Sequence, residues 1–411
     1  MSDFKLEVKL KQHTPLIHFQ HDQDEATLRA SEVKPKLDRF ILTRIGKDVE
    51  KRNIVQTKYS NECNIFLQKL RVKKPDLMVL PDYETGIIYA RKEKGWLIGK
   101  GDHPALDYKM KIDSKKDEEK VYDIIGEKKT GLNLKNIEIQ IFSVKTQLLT
   151  YVKDIIGSFF ILNNFGFRKS KGFGSFTVED DNITKEVDVF RENGYVAFYK
   201  KNCTNNAIIE TIKNDYQLLK SGTNFGGYAK SKLLEFFWND NDNMTWEKAK
   251  IKKVLEEEYP EIYSMLEYKK ENIQIVNDSI AIDNHKYIRA LLGLAELNEF
   301  RMKKEGRFEK DKIQIMIEDG DENSSITINR FPSPIMFKPI NNTIYLLPQI
   351  IPVEILNRSF DFYLKYNNIR PVKLFDIRTP ATFNLIDFLD QKLISENDNS
   401  EYEKLSSWAK I

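Results

Sequence analysis

The chain has 411 residues, enough for two domains or three, and 41% of them are hydrophobic, which permits a substantial core and excludes a disordered chain. Its 65 basic residues are almost balanced by 62 acidic ones, so a uniformly basic nucleic-acid binder is excluded and any polyanion site must be a local patch. Cys63 and Cys203 lie far apart with no CxxC partner, which excludes a disulfide scaffold and a cysteine zinc site and fits a reducing cytosol.

Met1–Lys11 has no apolar signal core, and no uncharged apolar run is long enough to span a bilayer, so a cytoplasmic protein with no membrane partner is expected. Phe4–Leu10 alternates strictly and predicts a strand with one buried face. Thr14-Pro15-Leu16 ends its regular pairing, since proline cannot donate to a ladder. A polar loop, His18 to Asp22, follows. Ser31 is placed to cap a helix with Pro35 in its first turn, and Val33, Leu37 and Phe40 then share one face. Lys34, Lys36 and Arg39 sit at its amino end and sides, where a helix favours anions, although an ordinary solvated face carries the same pattern. Short strands are expected at Asn64–Lys69 and Gly86–Ala90. Between Trp96 and Lys129 the chain turns polar and predicts an inserted excursion near residues 96–130. Leu134–Phe142 alternates again as a strand, and Gln147–Asn163 is an apolar helix.

The next stretch, Phe165 to Phe176, reads F-G-F-R-K-S-K-G-F-G-S-F and joins that helix to a strand at Phe173–Val178. Gly166, Gly172 and Gly174 bracket Arg168, Lys169 and Lys171. Glycine reaches positive φ at little cost, and successive N–H groups in such turns form anion-binding nests. Cations in the middle of the loop suit phosphate, so the stretch reads as an RNA-backbone clamp; a solvated basic turn is the competing reading. Phe167 is a candidate for base stacking, whereas Phe173, next to the strand, fits the core.

Gly194–Tyr199 opens a second unit, and Asn206–Leu219 has a helical pattern. Lys220 to Lys232 again sets glycines and lysines before an apolar helix, Leu233–Trp238, so Lys220, Lys230 and Lys232 form a second candidate phosphate patch, with Phe225 as a stacking candidate. Trp246–Met265 predicts an amphipathic helix whose Glu256, Glu257 and Glu258 form a solvated face. Tyr287–Phe300 predicts a helix, and Ile313–Ile317 and Ser325–Asn329 a strand pair around Gly320. Thr343–Leu347 is a strand, and Ser395–Ile411 a polar end, helical or frayed, with a lone Trp408. The order of elements predicts an α+β fold with helices on one face of an antiparallel sheet, divided into domains at 1–190 and 191–411.

Three of these stretches carry a resemblance. Thr14-Pro15-Leu16 after the first strand, Leu28-Arg29 with Ser31, Val33-Lys34 and Arg39, and the Gly166–Ser175 loop together resemble the RAMP superfamily of CRISPR-associated proteins. Within it, the chain is most similar to the first RAMP subunit of type III-B (Cmr) effector complexes. Arg330-Phe331-Pro332-Ser333-Pro334-Ile335 is similar to a second RAMP half. Two positions depart from the family pattern: Pro35 stands where it has a glycine, and Phe40-Ile41 where it has tryptophans. The resemblance implies two tandem ferredoxin-like (RRM-related) domains with helical insertions. It also implies a noncatalytic subunit of a multi-subunit ribonucleoprotein that binds guide RNA or the guide–target duplex near the guide 3′ end, beside other RAMP subunits and without a cofactor. Such folds read RNA through backbone and shape.

Some RAMP relatives process precursor guide RNA with a histidine acid or base, which makes His18 and His21 the candidates for an endoribonuclease; a structural loop histidine is the plainer reading. Strand alternation sends His13, His18 and His21 to different faces, so the sequence implies no metal site. Backbone RAMP subunits cut target RNA with a loop aspartate, for which Asp102, Asp107 and Asp113 stand as candidates, although solvated aspartates are common in such stretches.

Overall fold

The computed structural model describes residues 4–18, 27–51, 81–82, 87–88, 106, 108–124, 127–179, 185–204, 207–222, 230–240, 244–266, 284–294, 296–301, 312–321, 327–328, 330–366, 370–394 and 408–411. The chain divides into two compact units, the first holding residues 1–196 together with Lys338–Ile344, the second the remainder. The protein is α+β with mainly antiparallel sheets, the short pairing of Thr245–Trp246 with His285–Lys286 being parallel.

The first unit runs β1 (Lys5–Gln12), β2 (Leu16–Ile17), α1 (Ala30–Lys51), β3 (Pro81–Asp82), β4 (Ile87–Ile88), β5 (Lys109–Ile124), β6 (Glu127–Phe142), α2 (Thr146–Leu162), β7 (Phe176–Val178) and α3 (Glu186–Glu192). Its main sheet has β7 beside β1 and β1 beside β6. β5 pairs with β6 over the full length of both strands, so β1 and its continuation β2 share the other edge. The register sets Leu6 opposite Ile141, Val8 opposite Ile139 and Leu10 opposite Ile137, which puts the apolar positions of the two strands on one face. Val33, Leu37 and Ile41 of α1 and Val152, Ile155 and Phe159 of α2 close that face into one core. Burial of such stripes, more than propensity, holds short helices in place.

Two expectations change here. α1 starts at Ala30, with the Arg29 carbonyl accepting from Val33 N at 3.1 Å, so Ser31 lies inside the helix and Pro35 in its second turn. The polar stretch expected as an excursion becomes, from Lys109 onward, half of a hairpin whose strands each have 16 residues. Its charged run Lys115–Lys120 hides the alternation, because an edge strand carries charge on both faces and takes its order from its neighbour. Asn64–Lys69 lies outside the described residues, and β4 falls within the expected Gly86–Ala90 strand.

The second unit carries β8 (Tyr199–Asn202), α4 (Ile208–Lys220), α5 (Lys232–Asp240), β9 (Thr245–Trp246), α6 (Glu247–Glu258), α7 (Pro260–Ser264), β10 (His285–Lys286), β11 (Leu297–Arg301), β12 (Lys312–Asp319), β13 (Ile335–Ile340), β14 (Thr343–Pro348), β15 (Ser359–Lys365), β16 (Val372–Arg378), α8 (Leu385–Leu393) and β17 (Ala409–Lys410). One sheet has the order β13-β14-β8-β17, another β11-β12-β15-β16, and the turn of the β13–β14 hairpin belongs to the first unit.

The expected Tyr287–Phe300 helix is a short 3₁₀ turn, Ile288–Leu292, followed by β11. Gly293, at φ +114°, ends the turn, and Leu294 leaves it to bridge Phe331. β12 pairs with β11 and β15, and most of the expected Ser325–Asn329 strand lies outside the described residues. Trp246–Met265 is two helices, split where Pro260 opens α7. Trp408 is buried, and its indole Nε1 donates to Asp215 Oδ2 at 2.9 Å, which fastens the chain end that the sequence left open. Among the described residues no helix is long and apolar enough to cross a membrane.

Candidate nucleic-acid interface

The glycine loop is clasped by the turn between β1 and β2. Thr14 Oγ1 donates to Gly172 O at 2.5 Å and accepts from Ser175 N at 3.0 Å. Pro15 O accepts from Gly174 N at 2.9 Å, and Ile17 O from Phe167 N at 2.8 Å. The Thr-Pro-Leu turn is thus the acceptor surface on which the loop is built. Glycine is required at two points. A Cβ on Gly174 (φ +65°) would lie 2.0 Å from Phe165 O, and one on Gly166 (φ +74°) would lie 2.6 Å from Ile17 O. Arg168 holds φ +58°, an uncommon conformation for a residue with a side chain.

Much of the loop's N–H set is already engaged within the protein. Phe165 N donates to Gly174 O, Lys171 N to Arg168 O and Gly172 N to Lys169 O, in addition to the contacts of Phe167, Gly174 and Ser175 with the turn. An oriented N–H already held by a carbonyl is not offered to phosphate. Gly166 N instead donates to a carboxylate, Glu32 Oε1, at 2.9 Å.

Side chains supply the charge. Glu32 Oε1 also accepts from Lys36 Nζ at 2.8 Å, so the first turn of α1 is tied to the loop. Lys36 lies over the Phe165 ring, 4.6 Å from its centroid. Partial desolvation, then the neighbouring Lys36 and Arg39, lower the Lys169 pKa against the opposing pull of Glu32, which places all four groups in one electrostatic neighbourhood. Arg39 and Lys169 are exposed. In the same loop Phe167 is 56% exposed, with the Arg168 guanidinium 5.6 Å and Lys129 Nζ 5.8 Å from its ring centroid. Exposed aromatics flanked by cations suit base stacking.

Not every candidate cation faces outward. Lys34 Nζ pairs with the buried Asp38 at 2.8 Å, donates to Leu106 O at 3.1 Å and sits 4.1 Å from the Tyr108 ring centroid, so it fastens the start of the hairpin to α1. Lys171 Nζ is shielded from solvent. In the second patch, Lys220 is half-buried and its ammonium donates to Gly293 O at 2.6 Å and Leu292 O at 3.3 Å; desolvation there, with Arg289 adding to it, pulls its pKa down to about 7. Lys232 is buried and pairs with Glu235 at 3.2 Å. Lys220 and Lys230 are partly exposed, but the Lys220 ammonium is taken by the two carbonyls and Lys232 is buried, so the trio does not form an outward-facing patch. Phe225 and His21 lie outside the described residues, as do Asp102 and Asp107, while Asp113 is exposed on β5 and pairs with Lys111 at 2.7 Å. His18 and Phe173 are buried.

His13 is structural. Its Nδ1 accepts from Asn341 N at 3.1 Å, so Nε2 carries the proton and donates to Thr177 Oγ1 at 2.8 Å. Burial, then Lys338 and Lys11, pull its pKa down to about 3. Below the ordinary value near 6.5 the unfolded chain binds a proton that the folded chain does not, so stability present above pH 6.5 is lost as pH falls from 6.5 toward 3. The urea midpoint is expected to fall between pH 7 and pH 5, and to fall less in His13→Gln. Equal shifts in the two proteins would remove His13 as the cause.

The sequence reading missed Glu32, Lys129 and Lys338. Glu32 was legible only as an ordinary first-turn acid. Lys129 depends on the hairpin, whose Tyr122 packs edge-on to Phe173 with ring centroids 5.3 Å apart. Lys338 left no local signal. It is fully buried in the first unit and donates to Phe160 O at 2.8 Å, Asn163 O at 2.9 Å and Phe176 O at 3.1 Å, which caps the carboxyl end of α2.

Comparison with known proteins agrees with these motifs. Residues 3–223 match the family described as Cmr1 N-terminal domain, and residues 228–408 match Cmr1 C-terminal domain. No curated protein matches the chain. The two domain matches cover nearly the whole sequence in the expected order, and the chain belongs to the Cmr1 family of RAMP proteins, subunits of type III-B CRISPR effector complexes.

Proposed function

We propose that this chain is a noncatalytic, RNA-binding subunit that contacts guide RNA or the guide–target duplex near the guide 3′ end, beside other RAMP subunits, in cytoplasmic antiviral defence. The observation that carries the reading is the grouping, at the glycine loop, of Lys36, Arg39 and Lys169 in one electrostatic neighbourhood and of Arg168 and Lys129 around the exposed Phe167. Cations follow a sugar-phosphate backbone, and an exposed ring accepts a base of any identity.

The fold part of the proposal is two ferredoxin-like domains, at 1–190 and 191–411. Strand order supports it. In the first unit β7-β1-β6-β5, with α1 and α2 after the first and third strands, follows the βαββαβ pattern. In the second, β17-β8-β14-β13 with α4 and α8 repeats it, and the sheet β11-β12-β15-β16 is inserted between those elements.

The test is a filter-binding titration of guide-length RNA. Phe167→Ala is expected to weaken binding by ~1–3 kcal/mol with little change in salt slope. Unchanged affinity would remove the stacking role. The alternative, a metal-independent endoribonuclease, predicts discrete cleavage of repeat RNA in chelator that is lost in His18→Ala or His21→Ala.

A further inference from the structure

We propose that Glu32 is an internal phosphate mimic: its carboxylate holds the place of a backbone phosphate between Gly166 N–H and the Lys36 ammonium, and bound RNA displaces it. The inference rests on the RNA-binding reading above. Among the loop N–H contacts described, that of Gly166 is the one made to an anion, at 2.9 Å, while the others go to neutral protein oxygens. The same Glu32 oxygen accepts from Lys36 Nζ at 2.8 Å. Lys169 and Arg39 belong to the same electrostatic neighbourhood, so the carboxylate sits where cations of α1 and of the loop meet. A carboxylate and a phosphate ask for the same charged donors.

The consequence is selectivity. A single free phosphate ion must compete with a tethered anion of high effective concentration and gains little. A polymer that engages Lys169, Arg39 and Phe167 at the same time has the additional contacts needed to move it. Glu32 then lowers affinity for small anions more than for RNA, and disfavours occupation of the loop by the phosphate ions of the cell.

The experiment compares wild type with Glu32→Gln, which keeps an oxygen acceptor for Gly166 N–H and removes the charge. At low salt, RNA is expected to bind the variant about three- to tenfold more tightly, with the advantage shrinking as salt screens the carboxylate. Inorganic phosphate is expected to compete with RNA at lower concentration in the variant than in the wild type. Glu32→Ala, which removes the acceptor as well, is expected to shift affinity in the same direction and keeps the test open if the glutamine variant folds poorly. Wild-type binding with both variants equal or weaker overturns this inference alone. Absence of binding by wild type and variants alike overturns the RNA reading and this inference with it.

Discussion

Replacing Arg39, Arg168 and Lys169 together by alanine is expected to weaken RNA binding by about tenfold to a hundredfold at moderate salt and to flatten the dependence of log K on log salt by about two. These cations border the loop, with Arg39 and Lys169 exposed and Arg168 partly so. Lys171 is left out because its ammonium is shielded, and Lys34 because it is committed to Asp38. The loss is expected to be similar for RNAs of different sequence, since phosphate contacts carry no sequence information. The single changes are expected not to add, because Lys169 and Arg39 share an electrostatic neighbourhood. A salt slope identical to wild type would mean that RNA, if bound, lies elsewhere.

Lys338→Met is expected to destabilise the first unit by about 3 kcal/mol, read as a lower urea midpoint. The ammonium satisfies three carbonyls, two of them at the carboxyl end of α2, and methionine fills similar volume but donates nothing. Burial pulls the lysine well below its ordinary pKa, so removing it also removes a desolvation cost, and the net loss is smaller than three unmade hydrogen bonds would suggest. A variant within 1 kcal/mol of wild type would show that relief of that cost offsets the lost bonds. RNA binding below the melting range is expected to persist, because Lys338 is wholly buried in the structure.

Local patterns located what local forces decide. Alternation in Phe4–Leu10 and Leu134–Phe142 gave β1 and the far half of β6, since both strands cover a core on one face. The glycine loop was legible because Gly166 and Gly174 hold backbone conformations and close approaches that only glycine meets. What escaped was set by distant partners. The charged β5 becomes a strand through its ladder to β6, and the Tyr287–Phe300 periodicity yields to Gly293 and to pairing with β12. At the candidate interface, residue type gave the cations but not their direction: Lys220 and Lys232 point inward, where carbonyls and Glu235 receive them. The direction of a long side chain depends on tertiary contacts that no spacing rule encodes.

The Lys338 tripod also bears on how the chain is made. Ribosomes release residues 1–196 long before Lys338–Ile344 emerge, yet both segments belong to the first unit. During that interval the carbonyls of Phe160, Asn163 and Phe176 lack their ammonium donor. Vectorial synthesis therefore leaves the first unit incomplete until translation has passed residue 344, and an expression fragment ending near 223 would lack its late-arriving cap.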